Sequence, residues 1–133
     1  MQDESSAEEG DEDAGGKSSG GLFSSGPGHA IYHKMRPAFV TTFEANKKQR
    51  YMQLEITLVT RESEVVSALI NHNPLIRNTL VLLFAAEDYV ELQTPAGKEA
   101  LKEKSLKAVQ TIMQREIGSR GIEAILFTNF VMQ

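Results

Sequence analysis

Three histidines, a Gly-Lys pair and an Arg-Asn pair are the side chains whose type and spacing could support chemistry in this chain. His29 and His33 are four residues apart, a spacing that on a helix places two imidazoles on one face as metal ligands. Gly26-Pro27-Gly28 precedes them and no third ligand stands nearby, so the segment reads as a solvated transition. Gly97-Lys98 resembles the end of a phosphate-binding loop. That loop needs an earlier glycine and a Ser or Thr after the lysine, whereas Gln93 to Ala96 holds no glycine and Glu99 follows. A Ser–His–acid set finds no nucleophile-elbow pattern, and the histidines sit in polar breaks. No catalytic, cofactor-binding or metal-ligating residue is expected.

Arg77 and Asn78 open a segment that is otherwise apolar. A local reading pairs Arg77 with Glu87, Asp88 or Glu91. A functional reading carries its guanidinium across a subunit boundary, where a planar fork gives directional pairing. Leu80, Val81, Leu82, Leu83 and Phe84 offer more apolar surface than one helical stripe can bury, so the remainder is available to a neighbour. The candidate assembly residues are therefore Arg77, Asn78, Leu80, Val81, Phe84 and Tyr89.

These residues must be positioned by a small set of elements. Phe39 to Phe43 is a short strand candidate, and Glu44 to Gln49 reads as a turn. Tyr51 to Val59 alternates, with Met52, Leu54, Ile56 and Leu58 on one face of a half-buried strand. Thr60 is the expected N-cap of a helix over 61–71, whose stripe is Val65, Val66, Leu69 and Ile70. Asn73 is the expected cap of the next helix, with Pro74 at its first position and an end near Ala85. Residues 88–92 form a short bridge.

Thr94-Pro95 opens the longest helix, 95–117, lined by Leu101, Ala108, Val109, Ile112, Met113 and Ile117 and stopped at Gly118. Ile122 to Met132 is a strand with consecutive apolar residues at 125–127. It is expected to be central in the sheet and covered on both sides, with Phe127 and Phe130 on opposite faces. The order β-β-α-α-α-β specifies an α+β fold, a small antiparallel or mixed sheet packed with helices including one long one.

Charge divides the chain. Residues 1–30 hold seven acids and one base, net −6; residues 31–133 hold 11 acids and 13 bases, net +2; together they give the formal −4. The Gly, Ser and acid-rich start reads as a linker through residue 28, with 29–37 as transition and a domain over 38–133. No basic stripe interleaved with aromatics marks a nucleic-acid binder. There is no cysteine, which removes disulfides and thiolate metal sites and leaves the redox compartment open. No secretory signal is read at the start, and the longest apolar run, Leu80 to Ala86, is too short to span a bilayer.

Four blocks then fall in one order: Arg50-Tyr-Met-Gln-Leu-Glu-Ile56, Pro74-Leu-Ile-Arg-Asn78, Glu91-Leu-Gln-Thr-Pro-Ala-Gly-Lys98 and Ile125-Leu-Phe-Thr-Asn-Phe-Val-Met-Gln133. Together they resemble the FliL family of flagellar basal-body proteins across residues 38–133. The resemblance implies a periplasmic domain of a single-pass bacterial inner-membrane protein, similar in fold to the stomatin and prohibitin class. It further implies a ring-like homo-oligomer around the MotA/MotB-type ion-driven stator, supporting torque under load, with no enzyme activity and no nucleic-acid partner. The membrane helix of the family is missing from this sequence. Met1 is accordingly read as standing where the native anchor would join, with residues 2–30 as its tether. A membrane-proximal domain that senses a lipid or small ligand is the alternative function.

Overall fold

The structure, a computed structural model, describes residues 28–133. The acidic linker expected over 1–28 lies outside the described residues except for Gly28. Three strands form one antiparallel sheet in the order β1 (Ile31–Ala45), β2 (Lys48–Thr60), β3 (Ala124–Met132). Between β2 and β3 run α1 (Ser63–Asn71), α2 (Asn73–Ala85), a 3-10 turn at Glu91–Gln93 and α3 (Pro95–Ile117). The fold is α+β, as the element order implied.

β2 holds the centre. Met52, Leu54, Ile56 and Leu58 are fully buried, while Tyr51 and Gln53 point to the opposite, uncovered face. The strict alternation of β2 follows from that one-sided cover. The β1–β2 hairpin closes on Asn46 and Lys47, both with positive φ (55° and 63°), the mirror-image turn whose twist matches that of paired strands.

β1 is longer than the sequence suggested, because its first half pairs with β2 from Ile31↔Thr60 onward. The segment around His33 is thus strand, not an unpaired transition. Apolar alternation is interrupted in the middle: four steps from Met35 to Phe39 face two steps from Ile56 to Leu54. The surplus of two residues includes Pro37, which has no N–H to give to the ladder. An even surplus preserves parity, so Met35 and Phe39 both face the core.

β3 differs from expectation. It is an outer strand, and its consecutive apolar residues do not signal cover on both faces: Ile125 is buried while Leu126 is exposed on the open face. Phe127 and Phe130 share a face instead of opposing one another. Three steps from Thr128 to Val131 face two from Glu55 to Gln53, and Asn129 takes a positive φ of 51° in this bulge. One surplus residue inverts parity, which brings the two rings to a centroid separation of 6.2 Å.

The helices cover one face. α2 lays Ile76, Leu80 and Phe84 on the sheet, and Phe84 meets Phe39 and Phe127 edge-on at 5.6 and 6.4 Å. Full burial of each such side chain contributes about 1.5–3 kcal/mol. α3 buries Leu101, Ser105, Val109, Ile112 and Met113. Ser105 fits an otherwise apolar stripe because its hydroxyl donates to the Leu101 carbonyl at 2.7 Å.

The caps match expectation at α3 and depart from it at α1 and α2. Thr94 Oγ1 accepts from Gly97 N–H at 2.9 Å, with Pro95 at the first helical position. Gly97 is required there, since a methyl group would overlap the Glu91 carbonyl. Thr60 is instead the last residue of β2, its hydroxyl donating to the Gly121 carbonyl at 2.6 Å, and Glu62 stands at the N-cap of α1. Asn73 lies inside α2, whose N-cap is His72, with no side-chain cap bond.

Two outcomes follow for stability. Phe84→Ala is expected to cost about 3–5 kcal/mol in urea denaturation, whereas exposed Leu82→Ala stays within about 0.5 kcal/mol. Burial lowers the pKa of His33 from 6.5, so the unfolded chain takes up its proton more readily than the folded one. The contribution of neutral His33 is therefore complete above pH 6.5 and is lost as pH falls through the folded pKa. Wild type should lose stability across that acid interval, and His33→Gln should flatten this part of the curve.

Candidate interaction surface

Arg77 lies one turn into α2 and reaches back to β1. Its guanidinium sits 4.0 Å from the centroid of the Phe39 ring and donates to the Pro37 carbonyl at 2.8 Å and the Ala38 carbonyl at 3.4 Å. Both carbonyls belong to the β1 bulge, where the ladder register skips. A planar fork suits this place, because it satisfies two adjacent acceptors while its face covers an aromatic ring. Burial holds the Arg77 pKa below its ordinary value. The local ion pair with Glu87, Asp88 or Glu91 does not form: Glu87 takes Lys104 at 3.0 Å, and Asp88 Oδ1 accepts from Val90 N–H at 2.8 Å.

The other five candidates divide between core and surface. Leu80 and Phe84 are fully buried under α2, and Tyr89 is nearly so, tilted against Phe43 at 5.8 Å with Arg50 over its ring. Asn78 and Val81 face outward. They share the outer side of α2 with Leu75 and with Leu82, which is 63% exposed. The apolar excess read in the sequence is thus real, but Val81 and Leu82 carry it rather than Leu80 or Phe84.

A second apolar area lies on the uncovered sheet face. Val40 and Val131 flank Gln53 across the three strands, and Tyr51 stands beside them. The sequence reading missed Val40 and Val131. Its only available signal was the pairing register, which the β1 and β3 bulges conceal. Farther along that face, Glu55 pairs with Lys34 at 2.9 Å and accepts from Asn129 at 2.9 Å; Lys34 is the main cause holding its carboxyl below the usual range.

Among the described residues the histidines do not come together. His33 is in a strand, so the helical spacing that would align it with His29 does not arise. His72 stands at the α1–α2 junction with its Nδ1 3.9 Å from Glu116. Among the described residues, no group of three or more His, Asp or Glu side chains could hold a metal ion. No described helix is long and apolar enough to cross a membrane.

The Arg77 contacts carry a direct test. Arg77→Lys keeps the charge but loses the fork and the flat cover on Phe39, and is expected to cost about 1–2 kcal/mol by urea denaturation. Amide exchange should quicken around Ala38 and Phe39 more than in α3.

Comparison with known proteins fits these elements. The family model described as "Flagellar basal body-associated protein FliL" matches residues 32–133, the span from the second residue of β1 to the end of the chain. The flagellar protein FliL of Aquifex aeolicus (strain VF5) is 28% identical over 107 residues, which cover 80% of this chain and 64% of that protein. The flagellar protein LafL of Vibrio parahaemolyticus serotype O3:K6 (strain RIMD 2210633) is 24% identical over 94 residues, 71% of this chain and 57% of its own length. The chain therefore spans about three-fifths of the length of these relatives. The family match covers the strands and helices described above except for the first residue of β1, and the chain belongs to the FliL family of flagellar basal body-associated proteins.

Proposed function

We propose that this chain is the periplasmic portion of a non-enzymatic flagellar motor accessory. A membrane anchor ahead of the present sequence would hold it at the inner membrane, with the residues before β1 as tether. The domain then forms a ring-like homo-oligomer around the MotA/MotB-type stator and supports torque under load, in a fold of the stomatin and prohibitin class. The observation that carries this reading is the family match over residues 32–133. The apolar outer side of α2 is consistent with it, since Leu75, Val81 and Leu82 form a contact face on a helix already anchored through Leu80 and Phe84. In this reading Asn78 and Val81 touch the partner, Arg77 fixes the helix from below, and Leu80, Phe84 and Tyr89 support the face without reaching it.

The test is complementation of a deletion strain with the membrane-anchored protein, wild type or carrying Val81→Glu with Leu82→Glu. Wild type should restore swimming in viscous medium, and the double variant should fail while its purified domain keeps the same unfolding free energy in urea to within about 0.5 kcal/mol. Full motility under load with both substitutions would remove the α2 face from the reading. Failure of anchored wild type to alter motility at all would remove the motor role itself.

A further inference from the structure

β1 has an outer edge that no strand covers among the described residues, and its two halves differ. The first half carries Lys34 and Arg36 and stops at Pro37, residue types that keep an open edge from pairing. From Ala38 to Phe43 the edge bears no charge and is rich in Val, Thr and Phe, which favour pairing. The outer edge of β3, by contrast, is interrupted by the bulge at Asn129.

The ladder fixes which backbone groups point outward. Tyr51 and Gln133 exchange two hydrogen bonds of 2.9 Å, so the backbone of Tyr51 faces β3. Its neighbours Arg50 and Met52 therefore bond β1, through Phe43 and Thr41. Thr42, opposite Tyr51, turns its N–H and C=O away from β2, and Val40 and Glu44 do the same two residues to either side. Arg77 takes the Ala38 carbonyl just ahead of them, but the outward groups of Val40, Thr42 and Glu44 have no partner among the described residues.

A cleft of about 550 Å³ runs beside these groups, between residues 42–46 and residues 85–90. Glu44, Glu87 and Asp88 line it, and no Lys or Arg does. Lys104 offsets Glu87 and Asp88 is turned to the Val90 N–H, whereas Glu44 has no ion-pair partner among the described residues. α2 ends in the same cleft at Ala85, so the negative end of its dipole adds to the acidic character.

We propose that this edge takes a short extended segment of a partner protein as a fourth strand, with basic side chains on alternate residues turned to the cleft. Backbone bonds to Val40, Thr42 and Glu44 supply affinity, and the cleft selects charge. An acidic segment meets three carboxylates there and is rejected. Side chains alternate on an added strand, so its other set lies beside Val40 and Thr42 on the open sheet face, where β-branched residues fit. This inference does not rest on the motor role, and the outer side of α2 takes no part in it.

The probe is the end-blocked peptide Thr-Lys-Val-Lys-Val-Lys-Thr, titrated into the isotope-labelled full chain. Amide shifts should saturate and stay within residues 40–46 and 85–90. Affinity should fall about tenfold in Thr42→Pro, which removes an outward N–H that β2 does not use. It should fall severalfold in Glu44→Lys, and also at about 0.5 M salt, where the screening length is a few ångströms. Exchanging the peptide's lysines for glutamates should abolish binding. N-methylation of alternate peptide residues should abolish it for one of the two sets only, because an added strand turns every second N–H toward its neighbour. Should Thr42→Pro unfold, Glu44→Lys and the methylated peptides carry the same test. No saturable shift, shifts centred on Leu75 and Leu82, or indifference to both methylated sets would overturn the proposal. So would shifts of residues 40–46 on concentrating the chain alone, which would make the edge a contact between copies.

Discussion

A three-stranded sheet with one covered face has a single row of side chains on which everything else must rest, and here that row is Met52, Leu54, Ile56 and Leu58. β2 is hydrogen-bonded on both sides, so its inward side chains are walled laterally by Met35 and Phe39 from β1 and by Ile125 and Phe127 from β3. α2 and α3 close the row from above. Among the described residues the other sheet face carries no helix, so their hydrophobic stabilisation is concentrated in one layer of contacts. This makes the strand registers decisive: a slip of one residue in either outer strand would turn its inward set to water.

Both bulges can be understood from that constraint. β1 must contribute Met35 and Phe39 on either side of Pro37, and a surplus of two residues lets it do so without inversion. The local cost is two carbonyls displaced from regular pairing, and Arg77 supplies two donors to them from α2. α2 is therefore joined to β1 by a polar fork as well as by the Phe39–Phe84 ring contact. β3 uses the opposite device. Its single surplus residue at Asn129 inverts parity so that Phe127, Phe130 and Met132 all pack against the core.

These same features mark where the sequence was legible. The β2 alternation, the Thr94-Pro95 start and the full extent of α3 were readable, because each depends on local pattern or cap chemistry. The first half of β1 was not, since Tyr32, Lys34 and Arg36 face water and the bulge breaks the period. The run Ile125-Leu-Phe127 looked doubly covered because periodicity cannot tell a covered face from an open one bearing an exposed leucine. At the surface the sequence showed that α2 carries too many apolar residues. It could not say how much of the helix the core would take, because Val81, Leu82 and Leu83 follow Leu80 without a polar residue to mark the boundary of the buried stripe. Arg77 was recognisable as unusual, but its acceptors lie 39 and 40 residues away, at a bulge only the register reveals.

The outward side of α2 differs physically from the open sheet face, although both expose apolar atoms. On the sheet, Val40, Tyr51 and Val131 are interspersed with Gln53, Lys34 and Glu55, and the Lys34–Glu55 pair keeps part of that face hydrated. On α2 the residues one turn from Leu82 are Asn78, Thr79, Ala85 and Ala86, with no charge between Asn78 and Ala86. Desolvating α2 therefore costs less per unit area than desolvating the sheet, where buried charges would need partners. The helix is also the more rigid platform, held by Leu80 and Phe84 in the core and by Arg77 at its start. A partner that binds by apolar contact gains more on α2 for the same area, because fewer polar groups must be stripped of water and less side-chain freedom is lost beneath them.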